Sequence, residues 1–213
     1  DAIKDIGVTR LSLGIENLND SILKENGRAH LSQEVFEVSP WIRDLEFDQV
    51  NVDLIAGMVG EHWSSWRDTV RKTIDLDPDS VTIYQMELPF NTVYSKALFS
   101  GEGAGLGFAD WDTKREWHAY AFDELSTAGY EISSAYTMVK KGVPGHFVYR
   151  DAVWGGSDMI GAGIASFSYI GGLHFQNYSG WDEYLSALGE NRLPLDRAFE
   201  TTEMERLTRE MIL

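Results

Sequence analysis

A single plan, written three times in succession, most constrains what this chain can become. Arg10–Ile15, Val50–Ile55 and Ser80–Met86 are short β-branched or apolar runs, each closing on a glycine or an acidic residue and followed by a polar loop. Between them, Ser32 to Phe47 and Ser64 to Leu76 carry helical patterning, the second with Trp66, Val70 and Ile74 four residues apart. Strand–helix–strand–helix–strand order predicts a parallel sheet with right-handed crossovers. Three parallel strands make only part of a barrel, and such a part leaves a sheet edge and inward-facing side chains open. The opening DAIKDIG resembles the last turn of a helix, and the apolar Met211-Ile212-Leu213 closes without a capping glycine. The expectation is half of a larger architecture.

After the third strand the plan changes. A glycine-rich loop, Leu98 to Ala109, precedes a helix expected over Thr113 to Ala128, with Asp112 as N-cap and Gly129 just past its end. Pro40 falls inside the first predicted helix and is expected to kink or split it. From Tyr130 the runs are short and alternating: Tyr130–Thr137, Phe147–Tyr149, Met159–Ile170 and Leu173–Gln176. Closing helices are expected over Gly180–Leu188 and Thr202–Leu213, the second opened by the capping box Thr202-x-x-Glu205. The fold class is α/β: a partial parallel β/α barrel over residues 1–110, followed by a small α+β domain over 111–213.

Composition narrows the chemistry. Eighteen Lys and Arg against thirty-four Asp and Glu give a formal charge of −16, which repels nucleic acid and anionic membranes. With no cysteine in the 213 residues, disulfides, thiolate nucleophiles and cysteine-ligated clusters are excluded from this stretch. No apolar run reaches membrane-spanning length and no secretory leader opens the chain, so no membrane span and a cytoplasmic location are expected.

Ligands of parallel α/β proteins bind beyond the carboxyl ends of the strands, which draws attention to Glu16, to Asp53 in NVDLIAG, and to Gln85 and Glu87. Carboxylates facing one mouth accept hydrogen bonds from a ribose diol or an ammonium. Gly57 permits close backbone approach, and the planar fork of Arg28 suits a carboxylate. Together these describe S-adenosylmethionine or a related amino-acid nucleoside. The other reading, in which Glu16 and Asp53 cap helices or neutralise lysines, stands beside it on spacing alone.

The runs RLSLGIENLNDSILKENGRAH, NVDLIAGMVGE, SVTIYQMELPFNT and DMIGAGIASFSYIGGLHFQN resemble, in order and spacing, the radical S-adenosylmethionine family of oxygen-independent coproporphyrinogen III oxidases and their haem chaperone-like relatives. The resemblance covers nearly the whole chain, from the fourth strand of the family's partial barrel through its carboxy-terminal domain. It implies adenosylmethionine contacts at Glu16, Arg28 and Asp53, and an apolar contact to the adenosyl group at Phe167. Glu16 stands where the family usually has glutamine. The family's [4Fe–4S] cluster sits on a Cys-x₃-Cys-x₂-Cys loop that has no counterpart here. The missing barrel half, in the same chain or a separate one, would have to supply it.

In the family's reaction a 5′-deoxyadenosyl radical takes hydrogen from two propionate chains, which lose CO₂ as vinyl groups form. The implied substrate is a tetracarboxylate tetrapyrrole, and its candidate binders here are Lys140, Lys141, His146, Tyr149 and Arg150, around VPGHFVYRD. A solvated turn with scattered cations is the other reading of the same residues. The five histidines lack metal-ligand spacing, so no metal ligands are assigned, and no catalytic residue is assigned. Trp111, Trp117, Tyr120 and Phe122 read as core packing rather than a porphyrin stack. Residues 101 to 107, GEGAGLG, follow no strand directly and precede no Lys-Ser or Lys-Thr, so they read as a loop. Two functions follow: an oxidase-like radical protein that is inactive without the cluster-bearing half, or a tetrapyrrole-binding module without oxidase chemistry. A degenerate half-domain retained for partner contacts is the deflationary third.

Overall fold

The computed structural model describes residues 2–87, 107–143 and 147–212. The chain divides into two compact units, Asp1–Gly145 and His146–Leu213. In the first, strands β1 (Arg10–Glu16), β2 (Gln49–Ala56) and β3 (Ser80–Gln85) are parallel, in the order β1-β2-β3. A short opening helix, α1 (Ala2–Asp5), precedes β1. Helices α2 (Asp20–Glu25) and α3 (Ser32–Asp44) carry the chain from β1 to β2, and α4 (Trp63–Asp75) carries it from β2 to β3. The predicted βαβαβ plan is therefore present.

The sheet continues beyond β3. After α5 (Trp111–Thr127) come β4 (Tyr130–Ile132) and β5 (Thr137–Lys140), and β5 pairs antiparallel with β3, giving the order β1-β2-β3-β5-β4. The expected boundary at 110/111 thus differs from the division into compact units. Ser80↔Val139 and Thr82↔Thr137 are ladder partners, so the segment after 110 completes the first sheet.

The two sheet faces differ in chemistry. Val52, Leu54 and Ala56 of β2, with Val81 and Ile83 of β3 and Ile15 of β1, are buried in one core with Val35, Trp66, Val70, Trp117, Ala121 and Leu125. Trp66 is fully buried, and its indole Nε1 donates to the Trp117 carbonyl at 2.8 Å. Trp117 stacks on Trp66 and meets Trp63 edge-on, so the aromatic cluster is core, as its mixed spacing suggested. Trp111 is the exception, half exposed at the start of α5.

Local details differ from the sequence reading in places. Helix α3 runs unbroken through Pro40, and the Ser39 hydroxyl donates to the Val35 carbonyl beside the lost donor. The N-cap of α5 is Asp110, whose carboxylate accepts from the Thr113 amide at 2.7 Å, rather than Asp112. Gly129 sits past the helix end at φ 95°, a left-handed position that suits glycine. The glycine-rich segment lies outside the described residues through position 106.

The second unit holds an antiparallel sheet, β6 (Phe167–Ile170), β7 (Leu173–Asn177) and β8 (Leu195–Glu200), in that order. Strand β8 was not anticipated: LDRAFE has only Leu195, Ala198 and Phe199 as apolar residues, and five of its six positions are exposed. Residues expected as a strand around Phe147–Tyr149 instead open a helix, α6 (Val148–Trp154). Helices α7 (Trp181–Gly189) and α8 (Glu203–Ile212) follow the expected positions closely. The capping box forms, with Glu205 accepting from the Thr202 amide and the Thr202 hydroxyl accepting from the Glu205 amide.

Candidate functional site

The core-distal face of the parallel sheet is polar because β2 alternates Gln49, Asn51 and Asp53 on that side. Asn51, 1% exposed, uses its full bonding capacity. Its amide nitrogen donates to Ser12 Oγ at 2.8 Å and Asp53 Oδ1 at 2.9 Å. Its oxygen accepts from Ser80 Oγ at 2.8 Å and Thr82 Oγ1 at 3.1 Å. Ser12 Oγ donates onward to Asp53 Oδ2 at 2.7 Å. The Asp53 carboxylate is thereby oriented by two donors below the carboxyl edge, level with Gly14 and Thr82 in the ladder.

At the edge itself the β1–β2 ladder slips. Gly14 pairs with Asp53 but Glu16 pairs with Leu54, and Glu16 takes φ 58°. A non-glycine residue held left-handed beside a bulge is strained, and such strain gathers at functional sites. The bulge directs Glu16 to Arg28, whose Nε lies 2.5 Å from Glu16 Oε2. Both atoms are buried yet out of line for a hydrogen bond, so the pair is an ion contact with unused donor and acceptor capacity.

Behind this edge lies a residue that the sequence reading passed over. Glu61 is 8% exposed and accepts from the Gly57 amide at 2.7 Å, the Met58 amide at 3.2 Å and Asn17 Nδ2 at 2.6 Å. Burial pushes its carboxyl up to about 7, against the three donors, which favour the charged form. Asn17 in turn accepts from Thr69 Oγ1 at 3.0 Å and the Asn19 amide at 3.0 Å, so one network ties the loops after β1 and β2 to α4. The visible signal was the spacing Gly57-x-x-x-Glu61, in which a carboxylate reaches back over a tight turn.

Gly57 has φ 87°, and the close approach it allows is taken by Lys114: an added Cβ would meet Lys114 Cγ at 2.7 Å. Burial lowers the pKa of Lys114 against the opposing pull of the Asp110 and Glu87 carboxylates, and its Nζ donates to the Met86 carbonyl at 2.7 Å. Gln85, with Tyr84, Glu87, Trp111 and Tyr136, lines a cavity of about 410 Å³ beyond β3. Tyr84 and Tyr136 stack at 6.2 Å.

The substrate-side candidates are divided between the two units. Lys140 forms an ion pair with Asp77 at 2.6 Å, and its amide bonds the Asp79 carbonyl at the amino-terminal end of β3. Lys140 and the following Lys141 therefore occupy the sheet edge opposite to Glu16 and Gln85, because β5 runs antiparallel to β3. Tyr149 and Arg150 belong to α6 of the second unit. Tyr149 is exposed, with its hydroxyl 3.4 Å from Met159 Sδ, and Arg150 pairs with Asp151 at 2.8 Å over the Trp154 ring. Phe167 also lies in the second unit, stacked on His174 at 5.4 Å. His146 lies outside the described residues.

The chain is similar to known proteins over nearly its whole length. Across 99% of its length the chain is 24% identical to the haem chaperone HemW of Bacillus subtilis and 26% identical to the oxygen-independent coproporphyrinogen III oxidase of Synechocystis. Its homologues are oxygen-independent coproporphyrinogen III oxidases and HemW haem chaperones. It spans about half of these relatives: 54% of the first and 47% of the second. The solved coproporphyrinogen III oxidase HemN of Escherichia coli, described as a radical SAM enzyme, superposes with a TM-score of 0.79 at 20% identity, over 99% of this chain and 50% of that one. The mixed α/β architecture, a parallel-strand sheet plus a small antiparallel sheet, is thus a portion of the radical SAM fold of HemN. No family model matches the chain. Among the described residues, no helix is long and apolar enough to cross a membrane, and no cluster of three His, Asp or Glu is placed to hold a metal ion.

Proposed function

We propose that this chain supplies the adenosylmethionine-binding edge of a coproporphyrinogen oxidase-like radical protein of porphyrin and haem biosynthesis. The observation that carries the reading is the strained Glu16 carboxylate held against Arg28 at the carboxyl edge of a parallel sheet, above the oriented Asp53. This donor set fits the cofactor. Glu16 and Asp53 accept from a ribose diol or an ammonium, Arg28 receives a carboxylate, and Gln85 offers an amide at the neighbouring strand end. Gly57 acts from behind, admitting Lys114 and giving its amide to Glu61, which keeps the loop compact.

Adenosylmethionine, when bound and reduced, supplies hydrogen-abstraction chemistry. The residues present do not fit an iron–sulfur cluster, since the chain has no cysteine. In this reading a segment bearing the cysteine loop, in the same chain or another, completes the oxidase, and the site lies in the cytoplasm.

Equilibrium dialysis against adenosylmethionine tests the proposal. Saturable binding by the 213-residue chain is expected, with Glu16→Ala and Asp53→Ala each weakening it about tenfold, or about 1.4 kcal/mol. Absence of binding at millimolar ligand, or unchanged affinity in both variants, sinks it.

The similarity to HemW over nearly the whole chain favours a second reading, a tetrapyrrole carrier without oxidase chemistry. A saturable Soret shift on adding haem, with no dependence on adenosylmethionine, distinguishes it.

A further inference from the structure

The antiparallel sheet of the second unit sorts its side chains by charge. In β8, Arg197 and Phe199 face one side, while Asp196, Ala198 and Glu200 face the other. Ladder pairing puts Phe167, Gln176 and Arg197 in one cross-strand row, and Tyr169, His174 and Phe199 in the next, on that same side. These rows span about 10 Å across the strands and about 7 Å along them. The result is a flat aromatic floor with its acidic residues turned away.

This floor is open. Phe167 and Phe199 are 45% and 50% exposed, a high fraction for rings of this size. His174 lies between them, stacked on Phe167 at 5.4 Å and 10°, and edge-on to Phe199 at 5.4 Å and 89°. Its ring nitrogens make no hydrogen bond among the described residues. Cavities of about 300 Å³ and about 330 Å³ adjoin, sharing His174 and Phe199 as their common wall.

Each cavity ends at a guanidinium. Arg197 borders the first, its Nε fixed by Gln176 Oε1 at 2.8 Å. Arg209 of α8 borders the second, lying 4.3 Å over the Tyr169 ring with one nitrogen 3.4 Å from the Gly156 carbonyl. Glu205 also lines the second cavity, but its carboxylate is held by the Thr202 amide and hydroxyl, which keep it below the usual carboxylate range. In a chain of net charge −16, two oriented guanidinia flanking an aromatic floor are complementary to one kind of ligand, a flat apolar ring with anionic edges.

We propose that the Phe167–His174–Phe199 face, with Arg197 and Arg209 at its ends, is the seat of a planar tetrapyrrole carrying carboxylate side chains. The inference rests on the tetrapyrrole reading given above, moves its anchoring cations from Lys140, Lys141 and Arg150 to Arg197 and Arg209, and gives Phe167 to the macrocycle in place of the adenosyl contact that the resemblance implies. The floor stacks the macrocycle, and the guanidinia take the carboxylates through paired N–H donors.

The test titrates the full chain with coproporphyrin III, following porphyrin fluorescence, alongside adenosylmethionine dialysis as an independent readout of the first unit. Arg197→Ala combined with Arg209→Ala is expected to raise the porphyrin Kd at least tenfold and to flatten its salt dependence. Adenosylmethionine affinity should not change. Phe199→Ala should raise the porphyrin Kd severalfold, and Lys140→Ala should leave it unchanged. Because Arg197 and Phe199 are exposed, these variants are expected to fold, and unaltered circular dichroism checks that. Wild-type porphyrin affinity in the double variant and in Phe199→Ala overturns this seat while leaving tetrapyrrole binding in place. No porphyrin binding by the unaltered chain overturns both. Unchanged porphyrin affinity together with a dimer lost on Phe199→Ala would make the face a self-association surface instead.

Discussion

The two units solve the same problem, a sheet with one face left open, by opposite chemistry. In the parallel sheet that face is polar and cross-linked around the buried Asn51, which spends all four hydrogen bonds on Ser12, Asp53, Ser80 and Thr82. In the antiparallel sheet the open face is aromatic, with His174 stacked on Phe167 and edge-on to Phe199. A hydrogen-bonded face positions groups for a small polar ligand, because each donor fixes its neighbour's direction. An aromatic face offers area instead, and suits a large flat ligand held by stacking and edge charges. One chain thus presents two surfaces of opposite chemistry.

The sharpest way to break this contrast is through stability. Trp66→Ala removes a fully buried ring and the bond to the Trp117 carbonyl, and should cost about 3–5 kcal/mol in urea unfolding. Phe199→Ala, at a half-exposed ring, should cost about 1 kcal/mol or less. Equal losses would mean that the second unit's aromatic face is as well packed as the core.

The next effect is a pH dependence confined to the first unit. Glu61 titrates near 7 in the folded protein, above its ordinary value of 4.5. The folded state therefore binds the proton more tightly, so this stabilisation is complete below pH 4.5 and is lost as pH rises through 7. The loss amounts to about 3 kcal/mol at most. Glu61→Gln should lack that slope, so the unfolding free energy of the unaltered protein minus that of the variant should fall as pH rises from 4.5 to 7. A difference curve that stays flat would show that the three donors hold Glu61 ionised despite burial.

Smaller again is the role of the core polar residue. Asn51→Ala strands the Ser80 hydroxyl, leaves Thr82 only its bond to Thr137 Oγ1 and takes from Asp53 one of its two donors, and should cost about 1–3 kcal/mol while weakening adenosylmethionine binding severalfold. Retained affinity would separate Asp53's orientation from binding. Lys140→Ala, losing an exposed pair with Asp77, should change stability by no more than about 0.5 kcal/mol. A larger loss would argue that the amino-terminal sheet edge has a role of its own.

Much of the first unit was legible in the residues. Apolar runs of strand length separated by helical patterning require a parallel sheet, and Trp66, Val70 and Ile74 lie on or against the core as their spacing indicated. Glu16 and Arg28 were legible as a pair of chemical types, and the fold brings them into contact. Glu61 was marked only by the Gly57-x-x-x-Glu61 spacing, because nothing else local distinguishes a carboxylate that ends in solvent from one that turns back onto Gly57 and Met58. Strand β8 was missed for a related reason. Its alternation of Arg197 and Phe199 against Asp196 and Glu200 pairs polar with apolar on the same face, so no hydrophobic period emerges.

By itself the sequence determined the βαβαβ order of the first unit, the core stripe of α4, the capping box at Thr202, the absence of a thiolate ligand, and the motifs that carry the family resemblance. These depend on side-chain period and residue type, which short stretches carry intact. Only the tertiary structure decided that β5 lies antiparallel beside β3, which carries Lys140 to the sheet edge opposite Glu16. It also decided that Lys114 fills the space above Gly57, and that Arg197 and Arg209 flank one aromatic floor. Those facts join residues distant in sequence, and the free energy that fixes them comes from burial and pairing across the fold, which no local pattern records.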